Sequence, residues 1–186
     1  FLVAQAVAAR SYALATLSPT DRSDLFDDDR SQVYGGVAAE DPRTSRAVDA
    51  TKGTVLTYDG QIITAFFFST SGGRTENVQN VFRGSPPRPY LVSVPDGFDR
   101  ISPLHTWPDP PTFGAARLGA LLGVGEPVKD VVIERRGASP RVLEARVTTV
   151  SGRSRAFTGS SMRAALGLRD TWFSVSKNAP AAAVSR

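Results

Sequence analysis

The sequence predicts an α+β fold: an N-terminal helix packed on a mixed β-sheet, with a smaller α/β lobe near the C terminus. Three observations predict it. Residues 1–17 carry apolar side chains at helical spacing, Asp59-Gly60 separates two β-rich runs, and residues 128–135 and 142–150 form a second strand pair between helical segments.

In the opening helix Leu2, Ala6, Ala9, Ala13 and Leu17 recur on one face with Val3, Val7 and Leu14 beside them, and no Ser, Thr, Asp or Asn precedes it as a cap. Ser18-Pro19-Thr20-Asp21 stops it. The acidic run that follows, with Asp24, Asp27, Asp28 and Asp29, misses the calcium-loop template, because the positions that require Gly and Glu hold Gln32 and Ala38. A solvated loop is expected there. Asp41-Pro42 opens a second helix through residue 50, closed by Lys52-Gly53. Residues 54–58 and 62–68 make a hairpin on Asp59-Gly60, and the unbroken Phe66-Phe67-Phe68 run argues for a strand buried on both faces. Residues 77–107 are Pro-rich and loop-like, with a short strand at 90–94. Beyond a boundary at residues 108–111 come a helix over 112–123, a hairpin across 137–140, a helix over 160–166 capped by Ser160 or Ser161, and a returning strand at 170–175. The expected domains are a main lobe of residues 1–107 and 168–178, a companion lobe of 108–167, and a disordered tail of 179–186.

Of the 186 residues 41% are hydrophobic and 22% charged, values that support a buried core and exclude disorder throughout. No apolar run approaches the ~18 residues of a membrane span. Cysteine is absent, which removes disulfides, thiolate zinc sites and Cys nucleophiles together. His105 is the one histidine, so a His-rich metal centre is excluded and no metal or cofactor is expected. Lys and Arg number 22 against 18 Asp and Glu, and they are scattered rather than clustered, so no nucleic-acid partner is expected. The chain opens at Phe1 in mid-helix, with neither Met nor a charged leader; the expectation is that part of the protein lies upstream.

The most site-like segment is Ser69-Thr70-Ser71-Gly72-Gly73-Arg74-Thr75-Glu76. Hydroxyls and backbone N–H groups can converge there on a polar ligand where side-chain bulk is absent, or they can simply satisfy a local turn. The segment lacks the Lys-Ser/Thr of a phosphate loop, the nucleophile elbow and Ser-x-x-Lys. Gln32 and Tyr34 share a face if residues 32–34 are extended, either lining a cleft or flanking Val33 as the inward anchor of an edge strand. Arg10, on a small apolar helix, either snorkels to solvent or grips a substrate or a carboxylate. His105, between Pro103 and Trp107, reads as a loop or packing histidine.

Five ordered blocks between residues 4 and 173 carry a resemblance. They are Ala4-Gln5-Ala6-Val7-Ala8-Ala9-Arg10-Ser11-Tyr12, Gln32-Val33-Tyr34-Gly35-Gly36, Ala50-Thr51-Lys52-Gly53 with Leu56-Thr57-Tyr58-Asp59-Gly60, the Ser69 to Glu76 block, and Ala165-Leu166-Gly167-Leu168-Arg169-Asp170-Thr171-Trp172-Phe173. The chain resembles the stage II sporulation protein D family, which includes the amidase-enhancer proteins. The resemblance implies an extracytoplasmic bacterial protein that is a lytic transglycosylase of peptidoglycan, acting on glycan strands stripped of their stem peptides. The family's catalytic Glu lies in Glu-Ala-Leu-x-Ala-Gln-Ala, and in that register it falls immediately before Phe1, so no catalytic residue is assigned within the chain. Some relatives carry a Cys-ligated zinc near the Gln-Val-Tyr block, which a chain without cysteine cannot. Substrate contacts are implied at Gln5, Arg10, Gln32, Tyr34, Ser69, Thr70, Ser71, Gly72, Gly73 and Glu76.

The implied chemistry needs one carboxyl group. A protonated acid gives its proton to the leaving oxygen of the MurNAc-GlcNAc linkage, and the carboxylate so formed takes the proton of the sugar's own C6 hydroxyl as that oxygen closes the 1,6-anhydro ring. No second carboxylate is required to activate water. The competing implication is a non-catalytic glycan-binding module that stimulates an N-acetylmuramoyl-L-alanine amidase. A Ser hydrolase using Ser69 or Ser71 with His105 has no supporting motif.

Overall fold

The computed structural model describes residues 1–17, 25–28, 30–82, 84–107 and 109–177. Its elements in chain order are α1 (Leu2–Thr16), α2 (Pro42–Ala50), β1 (Thr57–Tyr58), β2 (Gln61–Ile62), α3 (Val78–Val81), α4 (Ala115–Leu121), β3 (Val128–Arg136), β4 (Val142–Thr149), β5 (Ser154–Thr158) and α5 (Gly159–Leu166), with 3-10 turns at Val37–Ala39 and Asp99–Ile101. The α+β class holds. Both sheets are antiparallel rather than mixed, because tight turns join successive strands: β1 pairs with β2, and the second sheet has the order β3-β4-β5. The chain divides into two compact units, Phe1–Ser69 and Thr70–Arg186. The helix stop at residues 18–21, Asp24, Asp29, Pro108 and the tail at 179–186 lie outside the described residues.

In the first unit α1 begins without a side-chain cap, as its sequence predicts. Its apolar stripe is not sequestered: Leu14 and Leu17 are exposed, and the buried residue is Ser11. The Ser11 hydroxyl donates to Val7 O at 2.7 Å and accepts from Leu56 N at 2.9 Å, so a small polar side chain lets the residue 54–56 segment come close. Helix α2 starts as expected. Asp41 accepts from Arg43 N at 2.7 Å, and Pro42 occupies the first turn, where its missing N–H is no loss.

The hairpin forms on Asp59-Gly60, with Thr57 opposite Ile62 and Tyr58 opposite Gln61. Asp59 and Gly60 both take positive φ, 48° and 75°, the two-residue turn whose twist suits a hairpin. The strands stop far short of residue 68. On the partner side Leu56 N–H is taken by Ser11, and Thr54 O accepts from Arg10 at 2.9 Å, so side chains of α1 occupy the groups a longer ladder would use. Phe66, Phe67 and Phe68 are therefore exposed and not strand-buried, with Phe66 and Phe67 edge-on to Tyr12 at 6.0 and 6.3 Å.

The second unit holds the main core. Leu122, Val128, Val142, Ala145, Val147 and Met162 form one buried cluster, with Leu118, Ile133, Phe157 and Phe173 packed around it. Central strand β4 supplies Val142, Ala145 and Val147 to it, with α5 packed on β4 and α4 on β3. Strand β5 is absent from the sequence prediction, since Ser154-Arg155-Ala156-Phe157-Thr158 holds one large apolar residue. The cap of α5 is Thr158, which accepts from Ser161 N at 3.1 Å, rather than Ser160 or Ser161. Gly159 follows because a Cβ there would collide with Val142 O.

Two predicted strands are not strands. Residues 90–94 lie along residues 75–78 with Thr75 N donating to Val94 O and Val78 N to Leu91 O, but the return bonds come from side chains: Val94 N donates to Thr75 Oγ1 and Ser93 N to Asn77 Oδ1. At residues 170–175 Asp170 accepts from Trp172 N at 2.9 Å, which turns the chain, and one rung survives, Val142 N to Thr171 O.

Candidate functional site

In the first unit backbone carbonyls hold two of the predicted site residues, Arg10 and Gln32. Arg10 Nη1 donates to Thr51 O at 2.7 Å and Thr54 O at 2.9 Å, and Nη2 donates to Val48 O at 3.1 Å. The guanidinium therefore closes the C-terminal end of α2, where orphan carbonyls favour a cation. Gln32 Nε2 donates to Ala9 O at 3.0 Å and so ties the Gln-Val-Tyr block to α1. Tyr34 points elsewhere, its hydroxyl donating to Glu40 at 2.9 Å, and the carboxylate beside it raises the phenol's pKa. Val33 is 78% exposed and anchors nothing inward. Gln5 sits half-buried on α1, its N–H closing the first turn on Phe1 O.

In the second unit residues 70–73 form a polar turn. Ser71 is buried, its hydroxyl donating to Asp96 Oδ2 at 2.9 Å and accepting from Gly73 N at 3.0 Å. Ser71 N–H donates to Asp99 Oδ1 at 2.6 Å, and the other oxygen of Asp99 meets His105 Nδ1 at 2.6 Å. Burial pushes the Asp99 carboxyl up, but the His105 and Ser71 hydrogen bonds outweigh it and bring the pKa below the ordinary value. Thr70 shares a 2.7 Å hydrogen bond with Ser102, and Ser69 is exposed on the first unit.

The same turn meets the block around Asp170. Arg141 donates to both Asp170 oxygens at 3.0 and 2.9 Å, to Ser71 O at 2.8 Å and to Arg74 O at 2.9 Å, and its guanidinium lies 5.4 Å from the Trp172 ring. Gly72, at φ 74°, lies against Trp172, and a Cβ there would sit 2.9 Å from the ring. Desolvation raises the Asp170 pKa, and the Arg141 pair together with backbone N–H groups lowers it further than that.

Glu76 is fully engaged. Its oxygens accept from Ser139 Oγ at 2.6 Å, Ser139 N and Ala138 N at 3.0 Å, and Asn77 N and Asn80 Nδ2 at 2.9 Å. Burial favours its neutral form, but these donors prevail and hold the carboxyl below its ordinary value. The structure thus brings together Ser71, Gly72, Gly73, Asp96, Asp99, His105, Arg141, Asp170 and Trp172. Asp96, Asp99 and Arg141 had no motif to reveal them. The available signal was the Asp-x-x-Asp spacing of residues 96 and 99 inside a Pro-rich loop, with the lone histidine six residues on. Among the described residues no group of three or more His, Cys, Asp or Glu is placed to hold a metal ion. None of their helices is long and apolar enough to cross a membrane.

A family model described as stage II sporulation protein matches residues 1–58. Stage II sporulation protein D of Bacillus subtilis (strain 168) is 31% identical over 194 residues, covering 95% of this chain and 54% of that protein. These matches support assignment of the chain to the stage II sporulation protein D family. Its counterpart in Bacillus amyloliquefaciens is likewise 31% identical over 194 residues, with the same coverage of 95% and 54%. The amidase enhancer of Bacillus subtilis (strain 168) is 41% identical over 98 residues, 53% of this chain and 13% of that protein. The chain spans about half, or less, of the length of these curated relatives.

Proposed function

We propose that this chain is the glycan-engaging part of a peptidoglycan lytic transglycosylase that works outside the cytoplasm on peptide-free strands, its general-acid Glu immediately upstream of Phe1. The observation that carries the reading is the match to stage II sporulation protein D across 95% of the chain. The five hydrogen bonds that Glu76, the carboxylate of the most site-like block, accepts lower its pKa and so support placing the proton donor elsewhere.

In this reading the acid stands at the N-terminal end of α1. The helix dipole there favours the charged form, so keeping it protonated falls to desolvation by the bound strand. Arg10 and Gln32 act through the scaffold, fixing α2 and the Gln-Val-Tyr block against α1. The 70–73 turn supplies the polar surface of the second unit.

The second reading, stimulation of a cell-wall amidase without cleavage, is supported by the 41% identity to the amidase enhancer. One experiment separates the two. The protein extended by its native upstream residues is incubated with peptide-free strands. Cleavage should give fragments ending in 1,6-anhydro-MurNAc, each cut adding no water to the mass. Replacing the upstream Glu by Gln should slow it about 10²- to 10⁴-fold. Intact strands alongside a faster partner amidase would establish the second reading, and ordinary reducing ends would refute the non-hydrolytic mechanism.

A further inference from the structure

Among the described residues, His105 Nδ1 is committed to Asp99 and Nε2 has no hydrogen-bond partner. Asp99 keeps 2% of its side chain exposed, whereas His105 keeps 33%. An ionised, buried carboxylate behind Nδ1 makes that nitrogen the donor and fixes the ring's orientation. The ring lies over a glycine: a Cβ at Gly73 would stand 3.6 Å from His105 Cε1, and Gly73 carries no such atom. Asp99 also receives Ser71 N–H, so the imidazole is locked to the 70–73 turn itself. The 3-10 turn that carries Asp99 leaves Ile101 90% exposed, and Phe98 before it 84% exposed, so apolar surface stands open on the same turn.

We propose that His105, oriented by Asp99, presents Nε2 beside Gly73 as a hydrogen-bond partner for a hydroxyl or acetamido group of the glycan strand. This inference rests on the glycan reading above, and deepens it by naming a contact that the sequence motifs do not contain. The bland account is that the Asp99–His105 pair merely ties two loops together.

His105→Asn separates the two accounts. The Asn amide keeps a donor near the place of Nδ1 and so preserves the tie to Asp99, but it has nothing in the place of Nε2. With the full protein and peptide-free glycan strands as the probe, H105N should retain the wild-type melting temperature and bind about tenfold more weakly, the value of one good hydrogen bond. The second measurement needs no variant. Diethyl pyrocarbonate acylates a free imidazole nitrogen, and peptide mapping by mass spectrometry should show the His105 adduct suppressed by bound strands. Strands that bind while His105 stays equally reactive, or an H105N protein that binds as tightly as wild type, overturn this inference and leave the glycan reading standing. If wild-type protein binds no strand, both fall.

Discussion

Arg10 and Glu76 are single charges that organise backbone on opposite signs of the same principle. Arg10 answers the unpaired carbonyls at the end of α2, and Glu76 answers N–H groups of the 137–139 turn and the start of α3. Gly137 is the counterpart of Glu76, because a Cβ there would occupy the space of its Oε2. Glu76→Gln places an amide NH2 against some of these donors and should lower stability by about 2 to 3 kcal/mol, read from urea unfolding followed by tryptophan fluorescence. A change within about 0.5 kcal/mol would mean the carboxylate is not holding the turn. Arg10→Met keeps the stem and removes the donors. Amides of residues 44–54 should then exchange hydrogen several-fold faster in native-state mass spectrometry, while exchange in β4 stays unchanged.

At the scale of elements, the turns and caps carry the specificity. The hairpin depends on left-handed backbone at both Asp59 and Gly60, so Gly60→Ala should cost about 1 kcal/mol in strain. Helix α5 is capped by Thr158 rather than by the serines that follow it. Thr158→Ala should therefore cost about 1 kcal/mol, and Ser160→Ala less than about 0.5, measured side by side by thermal unfolding. Equal losses would put the cap back on the serine. Both strand pairs and both long helical runs were legible because Asp-Gly, Pro at the first helical turn and alternating apolar residues act locally. Strand β5 was not, since Ser154–Thr158 holds one large apolar residue and shows no alternation of its own, although it pairs with the adjacent β4. Residues 90–94 misled for the opposite reason: they read as a strand, and side chains of Thr75 and Asn77 took the ladder's place.

Over the whole molecule, among the described residues, the carboxylates that are at least partly buried and have depressed pKa values lie in the second unit. Glu76, Asp99 and Asp170 all have folded pKa values below the ordinary 4.5 and 3.8 of their types. A depressed carboxyl contributes stability that is complete above its unfolded pKa and is lost as pH falls through the folded one. Acid unfolding of this unit should therefore begin below about pH 4.5 and be steep. Trp107 and Trp172 both lie in that unit, so tryptophan emission reports it directly. An emission spectrum unchanged down to pH 2 would show that these carboxylates are not coupled to its folding.

What the sequence by itself determined was the local grammar and the kinship: the α1 and α2 helices, the Asp59-Gly60 hairpin, the β3-β4 pair, and the five ordered blocks. Each depends on residues adjacent or at fixed short spacing. What only the tertiary structure decided was which polar groups face each other. Ser71, Asp99 and His105 converge from positions up to 34 apart in numbering, and Arg141 joins the Ser71 and Asp170 blocks from a place in neither. A hydroxyl's sequence neighbourhood says that it can bond; burial and distance say to what. That is why only the structure shows Ser71 buried and bonded to Asp96 and Asp99, and His105 bonded to Asp99 with a third of its side chain exposed.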